Sequence, residues 1–210
     1  MIFYFLLKLS LKKFHNSNFL KNAILEIVYT YFVDFNLVLI PTPKKPYISY
    51  YSDNRKVDPQ KQLHWEDLSK KIRTSRNYWI STTSKSRPHL VPIWGIWYDY
   101  KFYFSTSQIS KKAKNLYINA YCVISTEDAN HPVIIEGIAA QEHAFNTLEH
   151  IVELYNEKYQ WKFSVSSQGI FDDLGNGGPI FVVRPLKALA WDSFPKSLTV
   201  WSFSETSDSV

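Results

Sequence analysis

Residues 102–123 read FYFSTSQISKKAKNLYINAYCV, and the order of events along them decides the fold. An apolar strand (Phe102, Tyr103, Phe104) runs into a hydroxyl-rich turn (Ser105, Thr106, Ser107, Ser110). A helix carrying Lys111, Lys112 and Lys114 follows over 111–119, and a second strand begins after it. A helix that opens directly after a strand leaves its first N–H groups unpaired and carries a partial positive charge there. Such an end seats a phosphate. Hydroxyls before it and lysines in its first turn add donors and full charges. The stretch predicts a phosphate grip set between two strands.

Working outward, the flanking segments are also strands. Residues 77–83 (NYWISTT) are aromatic and β-branched, and 84–87 form a turn. Residues 88–98 (PHLVPIWGIWY) predict one long strand, apolar on both faces. In it Pro92 removes a ladder donor, and Gly95 leaves room for something to approach the backbone. Asp99-Tyr100-Lys101 predicts a tight hairpin into 102–105. Residues 120–127 and 132–142 are two more strands joined by a polar turn. Asn146, with Glu149 three residues on, resembles a capping box. The helix behind it would bury Leu148, Ile151, Val152, Tyr155 and Tyr159. Residues 169–179 read as a loop rich in Gly and Asp, 180–191 and 198–203 as the last strands, and 204–210 as a polar tail. Upstream, Asp58-Pro59 starts a helix whose periodic positions are Trp65, Leu68 and Ile72. Short hairpin-connected strands with a few crossover helices make a mainly β, antiparallel barrel, not a doubly wound parallel sheet.

Composition bounds the rest. The chain has 210 residues, 45% hydrophobic and 17% aromatic, so a packed core is expected. Cys122 is the only cysteine and lies in an apolar run, so it reads as a buried strand residue. A single cysteine forms no internal disulfide, which suits the reducing cytoplasm. The formal net charge is +5, and all of it belongs to residues 1–62, with nine Lys/Arg against four Asp/Glu. Residues 63–210 hold fifteen of each, so no nucleic-acid partner is expected. The chain divides into an N-terminal extension, 1–62, and a main domain, 63–210. In the extension, 1–11 is apolar, but Lys12 and Lys13 follow it, the reverse of a signal peptide. Lys21, Glu26 and Asp34 interrupt the apolar run 19–40. A membrane span wants about 20 residues nearly free of charge. Leu20, Ile24, Ile27, Val28 and Tyr31 follow helical spacing, which predicts an amphipathic helix. A packing helix, a membrane-interface helix and a segment outside the functional protein all fit it, and a membrane-surface role is not the expected one. Residues 41–46 (PTPKKP) read as a linker and 47–62 as a polar loop.

Several chemistries are missing from the sequence. No G-x-G-x-x-G follows a strand, and there is no Walker loop. The Gly-Asn-Gly-Gly at 175–178 lies in a polar loop before a strand, the wrong context for either. The six histidines show no H-x-x-x-H or H-E-x-x-H spacing, so no metal site is expected. No serine sits in a G-x-S-x-G elbow. The acid pairs Glu127-Asp128 and Asp172-Asp173 read as solvated turns. With no self-contained acid–base or nucleophile set, any catalysis needs a cofactor.

Four motifs in order then carry a resemblance: RNYWISTT (76–83), RPHLVPIWGIW (87–97), FSTS with SKKAKNL (104–116) and VIIEG (133–137). Together they resemble the pyridoxamine 5′-phosphate oxidase-like superfamily of flavin- or deazaflavin-binding split barrels, over about 63–203. The resemblance implies a six-stranded antiparallel Greek-key split barrel, a homodimer, and a cofactor at the subunit interface. The family's Ser-Arg-Lys phosphate motif matches Ser110-Lys111-Lys112, preceded by the hydroxyls of Ser105, Thr106 and Ser107. The strand bordering the isoalloxazine ring matches Pro92, Ile93 and Trp94. Lysine at 111 keeps the charge but loses the guanidinium fork.

Three departures narrow the function. The oxidase's strand arginine falls near Leu90, its flavin-contacting glutamine near Pro132, and its C-terminal arginine-leucine motif is absent from the closing TVWSF (199–203). True pyridoxamine phosphate oxidation is therefore not expected. The WGIW and WSF segments are more similar to deazaflavin-using and flavin reductase branches. The implied cofactor is FMN or coenzyme F-420 (deazaflavin). The implied reaction is hydride transfer to a small unsaturated or quinone-like molecule, with Trp94, Trp97 and Trp191 lining the pocket and no catalytic side chain assigned. The alternative is a non-catalytic barrel that sequesters a flavin or haem.

Overall fold

The computed structural model describes residues 39–44, 63–85, 87–194 and 196–205. The apolar run 1–11, the helix expected across 20–31, the helix start at Asp58-Pro59 and the polar stretch 47–62 lie outside them. Residues 41–44, expected in a linker, instead belong to strand β1 (Leu39–Lys44). Its two prolines are tolerated because, among the described strands, β1 has a partner on one side only.

Helix α1 (Trp65–Thr74) contains the expected periodic positions and buries Leu68 and Ile72, one turn apart. Glu66 and Asp67 in its first turn and Lys71 and Arg73 in its last complement the helix dipole. Trp65 lays its ring against Trp97, Trp201 and Phe203, at centroid distances of 6.2, 5.8 and 5.3 Å. β2 (Tyr78–Thr82) alternates, burying Tyr78, Ile80 and Thr82. The long strand expected over 88–98 is two, β3 (His89–Ile93) and β4 (Ile96–Tyr98), broken at Trp94-Gly95. The Phe102 ring occupies the space over Gly95, where a Cβ would lie 2.1 Å from it. The expected hairpin joins β4 to β5 (Lys101–Ser105) through Asp99 and Tyr100. Their φ values of 47° and 55° are those of the two-residue turn that matches strand twist.

Helix α2 (Lys111–Ile118) leads to β6 (Tyr121–Thr126) and β7 (Val133–Gln141). Helix α3 (Phe145–Tyr159) buries the five expected residues. The capping box does not form. Asn146 lies inside the first turn, the N-cap is Ala144, and no side chain caps from that position. Instead Glu142 Oε1 accepts the N–H groups of His143 and Ala144, each at 2.9 Å. The expected loop 169–179 is largely ordered into a three-stranded sheet. It contains β8 (Phe163–Ser166), β9 (Gly169–Asp172) and β10 (Gly177–Gly178). β11 (Ile180–Ser193) and β12 (Lys196–Glu205) complete the chain.

The main sheet closes on itself. β3 pairs β2, β2 pairs β6, β6 pairs β7 and β7 pairs β11, all antiparallel. The first four residues of β11 also pair β5, and β5 pairs β4, which continues the line of β3. The circuit is the expected six-stranded Greek-key split barrel, and its seam is the broken strand β3/β4. Beyond a register shift between Pro185 and Lys187, β11 keeps β7 on one edge and takes β12 on the other, with β1 outside β12. Inside lie Ile80, Phe102, Phe104, Ile124, Ile135 and Val183, each at most 2% exposed. Each such side chain contributes roughly 1.5–3 kcal/mol on burial. Cys122 is buried as expected, and burial pushes its thiol up to about 12. No helix among the described residues is long and apolar enough to cross a membrane.

Candidate functional site

β5 ends at Ser105 and α2 starts at Lys111, so the chain between them turns from strand to helix. Ser110 is the N-cap. Its Oγ accepts the N–H of Ala113 at 3.2 Å and lies 3.1 Å from Thr106 Oγ1. One hydroxyl of the Thr106/Ser110 pair donates to the other, which leaves one proton of the pair for a ligand. The N–H groups of Lys111 and Lys112 have no partner among the described residues. Lys112 is half-buried and forms no ion pair or hydrogen bond there, and loss of solvent lowers its pKa. Lys111 and Ser107 are exposed. Asn115 Nδ2 donates to Thr82 Oγ1 at 3.1 Å, which pins α2 to β2.

Ser105 is committed elsewhere. Its hydroxyl donates to Gly178 O at 3.0 Å, so it offers a ligand lone pairs and no proton. The Thr106 N–H donates to Pro179 O at 3.4 Å. The Ser105 N–H donates to the Tyr155 hydroxyl at 3.3 Å, and that hydroxyl donates to Trp94 O at 2.9 Å. Tyr155 thus ties the end of β3 to the start of the hydroxyl loop. It is buried, and burial raises its pKa well above the usual phenol value.

The break at Trp94-Gly95 is sewn to α3. The Gly95 N–H donates to Tyr159 Oη at 2.7 Å, and that hydroxyl lies 2.9 Å from both Gly95 O and Arg76 O. Lys158 Nζ donates to Gly95 O at 3.0 Å and to Tyr78 Oη at 2.7 Å, and Tyr78 donates to Ile72 O. Burial, and then the nearby Arg76 charge, lower the Lys158 pKa to about 8. The Trp94 indole stacks on Tyr159, with centroids 4.4 Å apart and planes 11° apart.

The structure brings Ser105, Thr106, Ser107, Ser110, Lys111 and Lys112 onto one strand-to-helix turn, and Tyr155 connects this turn to Trp94. Of the strand residues, Pro92 is exposed, Ile93 points into the core, and one face of Trp94 is covered by Tyr159. β3 has a ladder partner on one edge only, so its other edge is open among the described strands. Two expected lining residues do not join the site. Trp97 packs in the core beside Trp65. Trp191 is buried near the far end of β11 from Ile180, the residue that pairs Ser105. Tyr155, Lys158 and Gly178 enter the site without having been singled out for it. The available signal was chemical: a tyrosine on a buried helix face needs a partner for its hydroxyl.

No known sequence family matches the chain, and no curated protein does. Solved structures match it in fold. A Listeria innocua protein assigned as a pyridoxamine 5′-phosphate oxidase superposes with a TM-score of 0.50 at 12% identity, over 61% of this chain and 98% of that one. A conserved hypothetical protein from Mycobacterium tuberculosis superposes with a TM-score of 0.50 at 19% identity, over 62% of this chain and 85% of that one. Likeness at such identities concerns the fold alone: the chain has the split-barrel fold of the pyridoxamine 5′-phosphate oxidase-like proteins.

Proposed function

We propose that the protein is a flavin- or deazaflavin-dependent oxidoreductase acting on a small unsaturated or quinone-like molecule. The observation that carries this is Lys112, a half-buried cation with no partner among the described residues, beside two free N–H groups at the start of α2. A desolvated cation over unpaired donors is costly alone and favourable around a phosphate. Lys111, Lys112, the two N–H groups and one hydroxyl of the Thr106/Ser110 pair hold the phosphate of FMN or coenzyme F-420. The open edge of β3 at Pro92 and Ile93, with the half-buried Trp94, borders the ring, and Tyr155 fixes that edge relative to the grip. When bound, the ring supplies reversible hydride transfer. The protein binds, orients and excludes water, and the single buried cysteine fits a cytoplasmic setting. A homodimer fits the outward face of the barrel, where Trp79, Leu90, Tyr121 and Val123 are exposed on neighbouring strands.

Absorbance titrations of the purified chain with FMN and with coenzyme F-420 test the cofactor. Binding of one of them at micromolar levels or tighter is expected, and binding of neither overturns the proposal. A second reading, a barrel that only holds its ligand, is favoured by the composition of the turn, which offers cations and donors. The buried phenol beside it, Tyr155, stays neutral. Turnover of the reduced cofactor with a panel of quinones and enones separates the two: oxidation faster than in free solution supports the enzyme, and no acceleration supports the binding module.

A further inference from the structure

Gly178 is the point where the small sheet β8–β9–β10 bears on the hydroxyl loop. A Cβ placed on it would stand 2.2 Å from Thr106 O and 3.1 Å from the Ser107 Cα, so the two backbones touch with no room for a side chain. Its φ of 150° lies in the region that favours glycine. Two hydrogen bonds flank the contact, from Ser105 Oγ to Gly178 O and from Thr106 N to Pro179 O. Residues 105, 106 and 107 are therefore all set by Gly178 and Pro179. The small sheet is itself tightly placed. A Cβ on Gly177 would lie 2.0 Å from Ile170 O, and one on Gly169 would lie 2.1 Å from Gly178 O. Next to them, the Asp172 carboxylate accepts from Asn176 N at 2.7 Å, Asn176 Nδ2 and Leu174 N at 3.0 Å, and Trp161 Nε1 at 3.2 Å. These bonds, the Asn176 side chain first, hold its pKa below the usual carboxylate range.

We propose that Gly178 is a positioning residue for the phosphate grip: through it the three-stranded sheet sets affinity for the ligand's phosphate and leaves affinity for its ring unchanged. The inference rests on the reading of the Ser105–Lys112 turn as a phosphate site. A methyl at 178 needs an ordinary contact of about 3.4 Å, so Thr106 would have to shift by roughly 1 Å. That shift draws the Thr106/Ser110 hydroxyl pair away from the free N–H groups of Lys111 and Lys112. One charge-assisted hydrogen bond to phosphate is then lost or lengthened, about a tenfold change in affinity.

The test uses the full chain and compares each cofactor with its phosphate-free form: FMN with riboflavin, and coenzyme F-420 with the matching free deazaflavin. Gly178→Ala should weaken the phosphate-bearing form about tenfold or more and leave the phosphate-free form within about twofold. Asp172→Ala, which loosens the tip of the small sheet without adding bulk, should weaken the phosphate-bearing form alone, by about threefold. If Gly178→Ala does not fold by circular dichroism, Asp172→Ala decides. A wild-type chain that binds both forms equally overturns the phosphate site, and this inference with it. A wild type that prefers phosphate, with variants that keep the same preference, overturns the role of Gly178 alone. Equal loss of both forms in folded variants also overturns it.

Discussion

Tyr155 has one hydroxyl and uses it twice, accepting the Ser105 N–H and donating to Trp94 O. Tyr155→Phe keeps the ring packing and orphans both backbone groups, at a cost of about 1–3 kcal/mol. A lower denaturation midpoint with an unchanged slope checks this, and an unchanged midpoint contradicts it. Lys158 makes a pH prediction. Its pKa falls from the usual 10.5 to about 8 in the folded chain. Between those values the unfolded chain binds more protons, so this residue's contribution to stability rises as pH climbs from 8 to 10.5. Below 8 the burial penalty on the charged form is fully present. Lys158→Met should remove the rise, which denaturant titrations at pH 7.5 and 9.5 would detect; parallel pH profiles in the two proteins contradict it. The strand-to-helix turn that carries Ser110, Lys111 and Lys112 was legible in the sequence because strand, hydroxyl-rich turn and helix follow one another within a few positions. The roles of Tyr155 and Gly178 were not. Their partners lie 50 and 73 residues away in the chain, and periodicity shows that a tyrosine is buried without showing what its hydroxyl meets.

At the scale of elements, apolar alternation located the strands but not the seam within 88–98. Two neighbours make that seam: the Phe102 ring over Gly95, and the α3 hydroxyls and ammonium that satisfy the peptides at 94–95. Gly95→Ala forces the ring aside. A loss of roughly 1–3 kcal/mol is expected from overpacking, and a wild-type denaturation midpoint would contradict it. The missed cap has a similar cause. Asn146 and Glu149 had the right spacing, but α3 starts at Phe145, and Glu142, from outside the helix, already accepts the N–H of the N-cap Ala144 and of His143 before it. The ordering of 169–179 was hidden because Gly and Asp also mark loops. Here three glycines at φ between 129° and 150° let strands approach as no other residue would.

At the scale of the whole molecule, closure was legible from the close spacing of hairpin-linked strands. That β11 would keep β7 along one edge while exchanging β5 for β12 on the other was not, because that exchange and the register shift after Pro185 are set by pairing between distant segments. The outward face carrying Trp79 and Leu90 gives the assembly prediction. Trp79→Glu should convert a dimer to a monomer in sedimentation velocity while the circular dichroism spectrum stays that of the wild type; a wild-type chain that sediments as a monomer contradicts the dimer. The molecule as a whole stands on one claim, that the start of α2 holds a phosphate. A calorimetric titration of wild type and Lys112→Ala with FMN and coenzyme F-420 puts it at risk. The expected result is binding by the wild type that Lys112→Ala weakens by about 10- to 100-fold, the worth of one charge-assisted contact. Equal affinity in the two proteins, or no binding by the wild type, would contradict it.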